Sequence, residues 1–140
     1  MILLDTNVLS EMTKPAPSPV VVAWMNAQPL STLYLTAITV AEMGSGIRAL
    51  AEGRRRAELQ AALERTRALF SGRILPFDED AAVAFAGIAA KARAAGKGLP
   101  TPDGYIAAIA AAHGFIVATR DVAPFLAAEI SYINPWDDPS

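Results

Sequence analysis

The chain opens with Met1-Ile-Leu-Leu-Asp-Thr-Asn-Val-Leu-Ser-Glu11, a short apolar run that ends at an acid and passes into a helical pattern. Because Ile2–Leu4 is apolar throughout, it predicts a strand that is buried on both faces, as strands of parallel sheets are. Asp5 then lies at the carboxyl end of this strand. Parallel α/β sheets bind ligands at that edge, so the opening segment indicates both a fold class and the position of a site.

Four further apolar runs bounded by turn or cap residues also predict strands. They are Leu33–Leu35, Ile74–Pro76, Phe115–Ala118 and Ile130–Ile133. Helical patterns separate the five runs, at Thr6–Met12, Val20–Ala27, Thr36–Leu50, Arg54–Phe70, Asp80–Ala95 and Pro102–His113. Strands that alternate with helices favour a parallel sheet covered on both faces. We therefore predict one three-layer α/β/α domain over residues 1–140.

Composition limits the chemistry available to this domain. The 140 residues are 53% hydrophobic and 19% charged with a net charge of −2, which excludes a disordered chain. The lack of cysteine excludes disulfides and zinc–thiolate sites, and the single histidine, His113, excludes a site with two imidazoles. No apolar run reaches about 18 residues and the N-terminus does not resemble a signal peptide, so we expect a cytoplasmic protein.

Basic residues concentrate in one stretch. Seven of the twelve are Arg48, Arg54, Arg55, Arg56, Arg65, Arg67 and Arg73. Such a patch can bind an anionic partner such as RNA. Alternatively it forms a solvated helix face with ion pairs such as Arg54 with Glu58, four residues apart. Composition alone favours the solvated face.

Four of the fourteen acids hold unusual positions. Asp5 ends the first predicted strand, Glu42 lies in the helix after the second, Asp103 lies in a first helical turn, and Asp121 follows the fourth strand. Because the carboxyl ends of parallel strands meet at one edge, these four acids are expected to converge there.

Each acid also has a purely structural explanation. These are an N-cap at Asp5, a capping box from Thr39 to Glu42, a first-turn acid at Asp103 after Thr101 as N-cap and Pro102, and an Asx-turn at Asp121. Together, however, four clustered carboxylates repel one another unless a cation neutralises them. An all-oxygen ligand set suits Mg²⁺ or Mn²⁺, ions that activate water and stabilise phosphodiester displacement.

Other polar groups lie beside these acids in the sequence. Thr6, Asn7, Ser10 and Thr119 offer hydroxyl and amide groups that can orient metal ligands. Arg120 offers a guanidinium that can bind phosphate or form a structural ion pair.

Three other functional classes fit less well. Gly44-Ser45-Gly46 lacks the lysine of a P-loop, and no Gly-x-Ser-x-Gly elbow occurs. A phospho-accepting receiver domain would place an acid beside Asp5 and a lysine after the last strand, where Ile133-Asn-Pro-Trp136 has none. A non-enzymatic binding module remains open; its signature would be a missing acid, and all four are present.

Six segments, in order along the chain, resemble the motifs of a known family. They are the opening segment, Leu35-Thr-Ala-Ile-Thr-Val-Ala-Glu42, Gly72-Arg-Ile-Leu-Pro-Phe77, Asp103-Gly-Tyr-Ile-Ala-Ala108, Ala118-Thr-Arg-Asp121 and Ile133-Asn-Pro-Trp136. The family is the PIN-domain ribonucleases, specifically the VapC toxins of the FitB-like branch. Many members have Thr-Arg-Asn with an aspartate three residues later, whereas this chain has Asp121 and then Pro124.

The resemblance implies a five-stranded parallel sheet and a Mg²⁺ or Mn²⁺ site built from Asp5, Glu42, Asp103 and Asp121. It implies a toxin endoribonuclease that acts on RNA and is inhibited by a cognate VapB/FitA-like antitoxin. Operator DNA would be bound only through that antitoxin, and the toxin would form a homodimer. The alternative is a weak or inactive PIN-fold module that acts by binding the antitoxin and nucleic acid.

Overall fold

The computed structural model describes residues 1–137, which form five short strands and seven α-helices. The strands are β1 (Ile2–Leu4), β2 (Leu33–Thr36), β3 (Ile74–Leu75), β4 (Ile116–Ala118) and β5 (Tyr132–Ile133). The helices are α1 (Thr6–Met12), α2 (Pro19–Ala27), α3 (Ala37–Arg48), α4 (Arg54–Leu69), α5 (Glu79–Ala94), α6 (Thr101–His113) and α7 (Ala123–Ala127). A 3₁₀ turn, Leu30–Thr32, precedes β2.

The strands form one parallel sheet in the order β3-β2-β1-β4-β5. This confirms the predicted number and direction of the strands, although β4 and β5 begin one and two residues later than predicted. β1 lies in the centre, with Leu3 opposite Tyr34 of β2 and Leu4 opposite Ala118 of β4. Asp5, which follows β1, therefore lies between the segments that follow β2 and β4.

Two apolar clusters cover the two faces of the sheet. Leu3 packs with Ile106, Val117 and Phe125 beneath α5, α6 and α7. Leu4, the next residue along β1, belongs to the second cluster with residues of α1 and the end of α4. Successive strand residues point to opposite faces, so an apolar strand must be covered on both sides. The three-layer arrangement is confirmed.

The predicted N-terminal residues of two helices were wrong in their roles. Thr36, not Thr39, is the N-cap of α3: its Oγ1 accepts a hydrogen bond from the Thr39 N–H at 3.1 Å. The capping box from Thr39 to Glu42 was therefore wrong, because Thr39 already lies inside the first turn. The N-cap of α6 is Pro100, so Thr101 and Pro102 each lie one position further into the helix than predicted.

Helix α6 packs closely on α5 at Gly104. A Cβ at this position would lie 2.9 Å from Phe85 Cε2 and 3.3 Å from the side chain of Leu99. The close contact between α6 and Phe85 of α5 therefore depends on the absence of a side chain at Gly104. This contact positions the first turn of α6, which also carries Asp103. At the other end of α6, His113 occupies the last turn and Gly114 ends the helix with a φ of 69°, as the sequence predicted.

No helix within residues 1–137 is both long and apolar enough to cross a membrane.

Candidate active site

A cleft of about 390 Å³ opens at the carboxyl ends of the central strands. Three of the four predicted acids, Asp5, Glu42 and Asp103, line it together. Asp5 directly follows β1, Glu42 lies in the second turn of α3, and Asp103 lies in the first turn of α6. Segments far apart in the sequence thus converge where the parallel sheet was predicted to bind a ligand.

Asp5 is the most tightly held acid of the cleft. Its side chain is only 3% exposed, and its Oδ1 accepts a hydrogen bond from the Thr6 N–H at 2.8 Å. Its Oδ2 accepts hydrogen bonds from Thr119 Oγ1 at 2.8 Å and from Asn7 Nδ2 at 3.3 Å. Asp5 is thus the N-cap of α1, which confirms the structural explanation predicted for this acid. A carboxylate has about four acceptor positions, so three internal bonds still leave room for a cation.

Thr119 connects the loop after β4 to Asp5. Its hydroxyl donates to Asp5 and accepts from Asn7 Nδ2 and from the Asp121 N–H, both at 3.1 Å. This bond orients the backbone at Asp121, whose exposed side chain borders a neighbouring cavity with Lys97 and Gly98. Within residues 1–137 the carboxylate of Asp121 accepts no hydrogen bond, and α7 has no side-chain cap. The Asx-turn explanation is therefore wrong.

Glu42 reaches the cleft from α3 and is oriented by a threonine. Thr6 Oγ1 donates to Glu42 Oε1 at 2.8 Å and lies 3.0 Å from Thr39 Oγ1, which can donate to it in turn. Thr39 is fully buried next to the N-cap Thr36. A line of hydroxyl groups therefore connects the start of α3 to an exposed carboxylate.

Asp103 has no side-chain hydrogen bond within the described part of the chain. The pKa of its carboxyl is raised to about 6, mainly by burial and then by the negative charges of Asp5, Asp121 and Glu42 in that order. Burial is also the main cause of the raised pKa of Asp5, which the bonds from Thr119 and Thr6 partly offset. The charges of Glu42 and Asp121 thus raise the pKa of both Asp5 and Asp103.

The donor chemistry of this cluster fits a hard divalent ion. Among residues 1–137, no three acidic or histidine side chains are close enough to surround an ion as they stand. Mg²⁺, however, usually keeps several of its waters and binds proteins through only one or two carboxylates. A cation would relieve the repulsion that adds to the effect of burial on the pKa of Asp103. The residues therefore fit a Mg²⁺ or Mn²⁺ ion.

Sequence reasoning missed two members of the cleft, Glu11 and Lys14. Glu11 is 5% exposed, and its Oε1 binds Lys14 Nζ at 2.9 Å. The only available signal was a glutamate near the end of a short helix that is followed by prolines. Arg120 and Trp136 lie in the same cleft. The sequence predicts a phosphate ligand or an ion-pair residue at Arg120, whereas for Trp136 it indicates only membership of a motif.

The arginine-rich stretch has ion pairs of the kind that a solvated helix face predicts. Arg54 Nε binds Glu58 Oε1 at 2.9 Å, and both side chains are exposed. Arg67 pairs with Glu64 at 2.8 Å on the same helix. These pairs agree with the solvated face, and contact with RNA at this surface stays a hypothesis.

Comparison with known proteins agrees with this geometry. The family model described as "PIN domain" matches residues 2–129. The chain is 51% identical over 138 residues to "VapC ribonuclease Y4jK" of Sinorhizobium fredii, covering 98% of this chain and 99% of the relative. It is 48% identical over 139 residues to "Toxin FitB" of Neisseria gonorrhoeae, covering 99% of this chain and 100% of that protein.

A solved structure shows the same fold. "Structure of FitAB bound to IR36 DNA fragment" contains a chain that superposes with a TM-score of 0.95 at 47% identity, covering 100% of this chain and 99% of the other. The sequence match, the parallel sheet and the acidic cleft agree. The chain belongs to the PIN-domain family.

Proposed function

We propose that this chain is a Mg²⁺- or Mn²⁺-dependent endoribonuclease and the toxin of a toxin–antitoxin pair. The observation that carries the proposal is the convergence of Asp5, Glu42 and Asp103 from three separate segments in one cleft, with Asp121 close enough for its charge to act on Asp103. Burial, followed by the charges of the other three acids, raises the pKa of Asp103 to about 6. The name of the relative "VapC ribonuclease Y4jK" supports the substrate class. The name "Toxin FitB" supports the biological role.

In this proposal Asp5, Glu42 and Asp103 hold the ion, and Asp121 orients the attacking water from the exposed edge. A bound divalent ion supplies a Lewis acid that makes water nucleophilic at neutral pH and stabilises the charge on the leaving oxygen. Thr119 holds Asp5 in place, and Thr6 does the same for Glu42. Asp103 would hold the ion only in its ionised form, so with a pKa of about 6 its contribution to metal binding would increase as the pH rises.

The proposed partner is a VapB/FitA-like antitoxin, with operator DNA bound through it and with the toxin as a homodimer. Support comes from the solved FitAB complex on DNA, which contains a chain of this fold. Helix α2 and Pro135 also line an apolar cavity of about 470 Å³ that includes Val20, Ala23 and Trp24. Tryptophan is enriched at protein interfaces, so this cavity is a candidate site for an apolar antitoxin segment.

The test is cleavage of single-stranded RNA by the purified chain, free of antitoxin, with Mg²⁺, with Mn²⁺ and with EDTA. We expect cleavage only with a divalent ion. Asp103→Asn should abolish it, whereas the matched control Asp80→Asn, an exposed aspartate of α5 outside the cleft, should cleave as the parent does.

Two results would contradict the proposal in different ways. Cleavage that continues at full rate in EDTA would overturn the metal mechanism. No cleavage under any metal condition, with RNA or antitoxin binding retained, would identify the chain as a binding module instead.

A further inference from the structure

The cleft carries two kinds of charge. Beside the acids, its lining includes two cations, Lys14 and Arg120. Asp5, Glu42 and Asp103 line the cleft and Asp121 lies near them; when all four are ionised, one divalent ion would neutralise two of their four negative charges. The remaining charge repels RNA, whose backbone is itself a polyanion. A nuclease with such a cleft needs cations close to the acids to attract its substrate.

Lys14 is held in the cleft by a buried carboxylate. Glu11 Oε1 binds Lys14 Nζ at 2.9 Å, and Glu11 Oε2 accepts the Ser18 N–H at 3.0 Å. Glu11 thereby ties down both ends of the segment from Lys14 to Ser18, in which Pro15 and Pro17 also restrict the backbone. The bond from Lys14 lowers the pKa of Glu11, which stays ionised. Because an ammonium has three donors, Lys14 can still bind an anion while it is held.

Arg120 is held by different contacts. Its guanidinium lies over the ring of Trp136, with Cζ 5.2 Å from the ring centroid. Its backbone N–H donates to Asn7 Oδ1 at 3.2 Å, which ties the residue to α1. It forms no ion pair within residues 1–137, whereas Lys14 shares its charge with Glu11. The charge of Arg120 also lowers the pKa of Glu11, so the two cations flank one carboxylate.

We propose that Lys14 and Arg120 form a phosphate-binding subsite for the RNA backbone, next to the acids that hold the metal. This inference rests on the proposed function and names the residues that recognise the substrate. The stacked guanidinium can donate two parallel hydrogen bonds to a phosphate, and the ammonium adds a point charge. The subsite binds backbone and not bases, so it positions any single strand without selecting its sequence.

The experiment measures binding of a short fluorescent single-stranded RNA at several KCl concentrations. All proteins carry Asp5→Asn so that the RNA stays intact. Lys14→Gln and Arg120→Gln should each weaken binding several-fold at low salt. Each should also reduce the slope of log K against log[KCl] by about 0.7, and the double variant by about 1.4. Arg120→Lys should restore the slope because it keeps the charge.

Lys91→Gln is the matched control. Lys91 pairs with Glu129 at 2.8 Å and is 62% exposed, close to the 2.9 Å and 55% of Lys14, but it lies outside the cleft. It should leave binding and slope unchanged. Parental affinity and slope in the double variant would overturn the subsite. Loss of binding in the double variant, with no metal-dependent cleavage by the chain with Asp5 intact, would keep the subsite and overturn the nuclease.

Discussion

Asp5 and Asp103 line the same cleft but are held in opposite ways. Asp5 is almost fully buried and accepts three hydrogen bonds, which partly offset the effect of burial on its pKa. Asp103 is half-buried with no such bond, and its pKa rises to about 6. The comparison shows how one site combines a carboxylate of fixed geometry with one whose charge responds to pH and to a cation.

The largest effect expected is loss of cleavage in Asp5→Asn, by about 100-fold or more, since even residues that only orient metal ligands contribute 10–100-fold. Asparagine is as good an N-cap as aspartate and removes a charge that burial disfavours. The metal-free variant should therefore be as stable as the parent or more stable. Cleavage rate and urea unfolding in EDTA test this. Marked destabilisation of the variant would show that the hydrogen bonds from Thr119 and Asn7 to the carboxylate outweigh the cost of burying its charge.

The rigidity of Asp5 can be tested through its partner. Thr119→Val keeps the shape of the buried side chain but removes the hydroxyl that binds Asp5 and the Asp121 N–H. We expect cleavage to fall by about 10–100-fold. Thr66→Val, which removes a hydroxyl bonded to the Ala62 carbonyl on α4, is the control and should cleave normally. Equal rates in the two variants would mean that Asp5 needs no such support.

The placement of Asp103 can be tested at the adjacent glycine. Gly104→Ala puts a methyl group 2.9 Å from Phe85, so α5 and α6 must move apart at a cost of about 1–3 kcal/mol. Gly87→Ala, at an α5 position with open space around it, is the control and should not destabilise the chain. Urea unfolding measures both. A Gly104→Ala variant as stable as the parent would show that the contact relaxes freely.

The smallest effect concerns the pH dependence of stability without metal. The pKa of Asp103 is raised from 3.8 to about 6 on folding, so its ionisation opposes folding. The stability that the protonated carboxyl of Asp103 contributes to the folded state is fully present below about pH 4, and it is lost as the pH rises through about 6. Asp103→Asn should remove this loss, so the variant gains stability relative to the parent between pH 4 and pH 7.

Urea unfolding in EDTA at several pH values measures this difference, with Asp80→Asn as the control that should follow the parent. An identical pH dependence in Asp103→Asn and the parent would show that the carboxyl of Asp103 is not perturbed.

Local sequence signals were sufficient for the sheet and for three acids of the cleft. Short apolar runs alternating with helices are typical of a covered parallel sheet. Asp5 directly follows such a run, and Glu42 and Asp103 lie in the first two turns of helices. Helix starts were less reliable. Thr36 and Thr39 are both good N-cap residues, and only the end of β2 decides that Thr36 is the cap. Asp121 illustrates a further limit, since its backbone faces the cluster while its side chain borders another cavity.

The sequence by itself determined the alternation of strands and helices, the all-oxygen chemistry and the family motifs, because these depend on residue type and spacing. Only the tertiary structure decided the pKa of Asp103 and the place of Lys14 and Arg120 around Glu11. The physical reason is that charge interactions and burial depend on distances between segments that lie up to about a hundred residues apart in the chain. Spacing along the sequence does not encode those distances until the sheet brings the segments together.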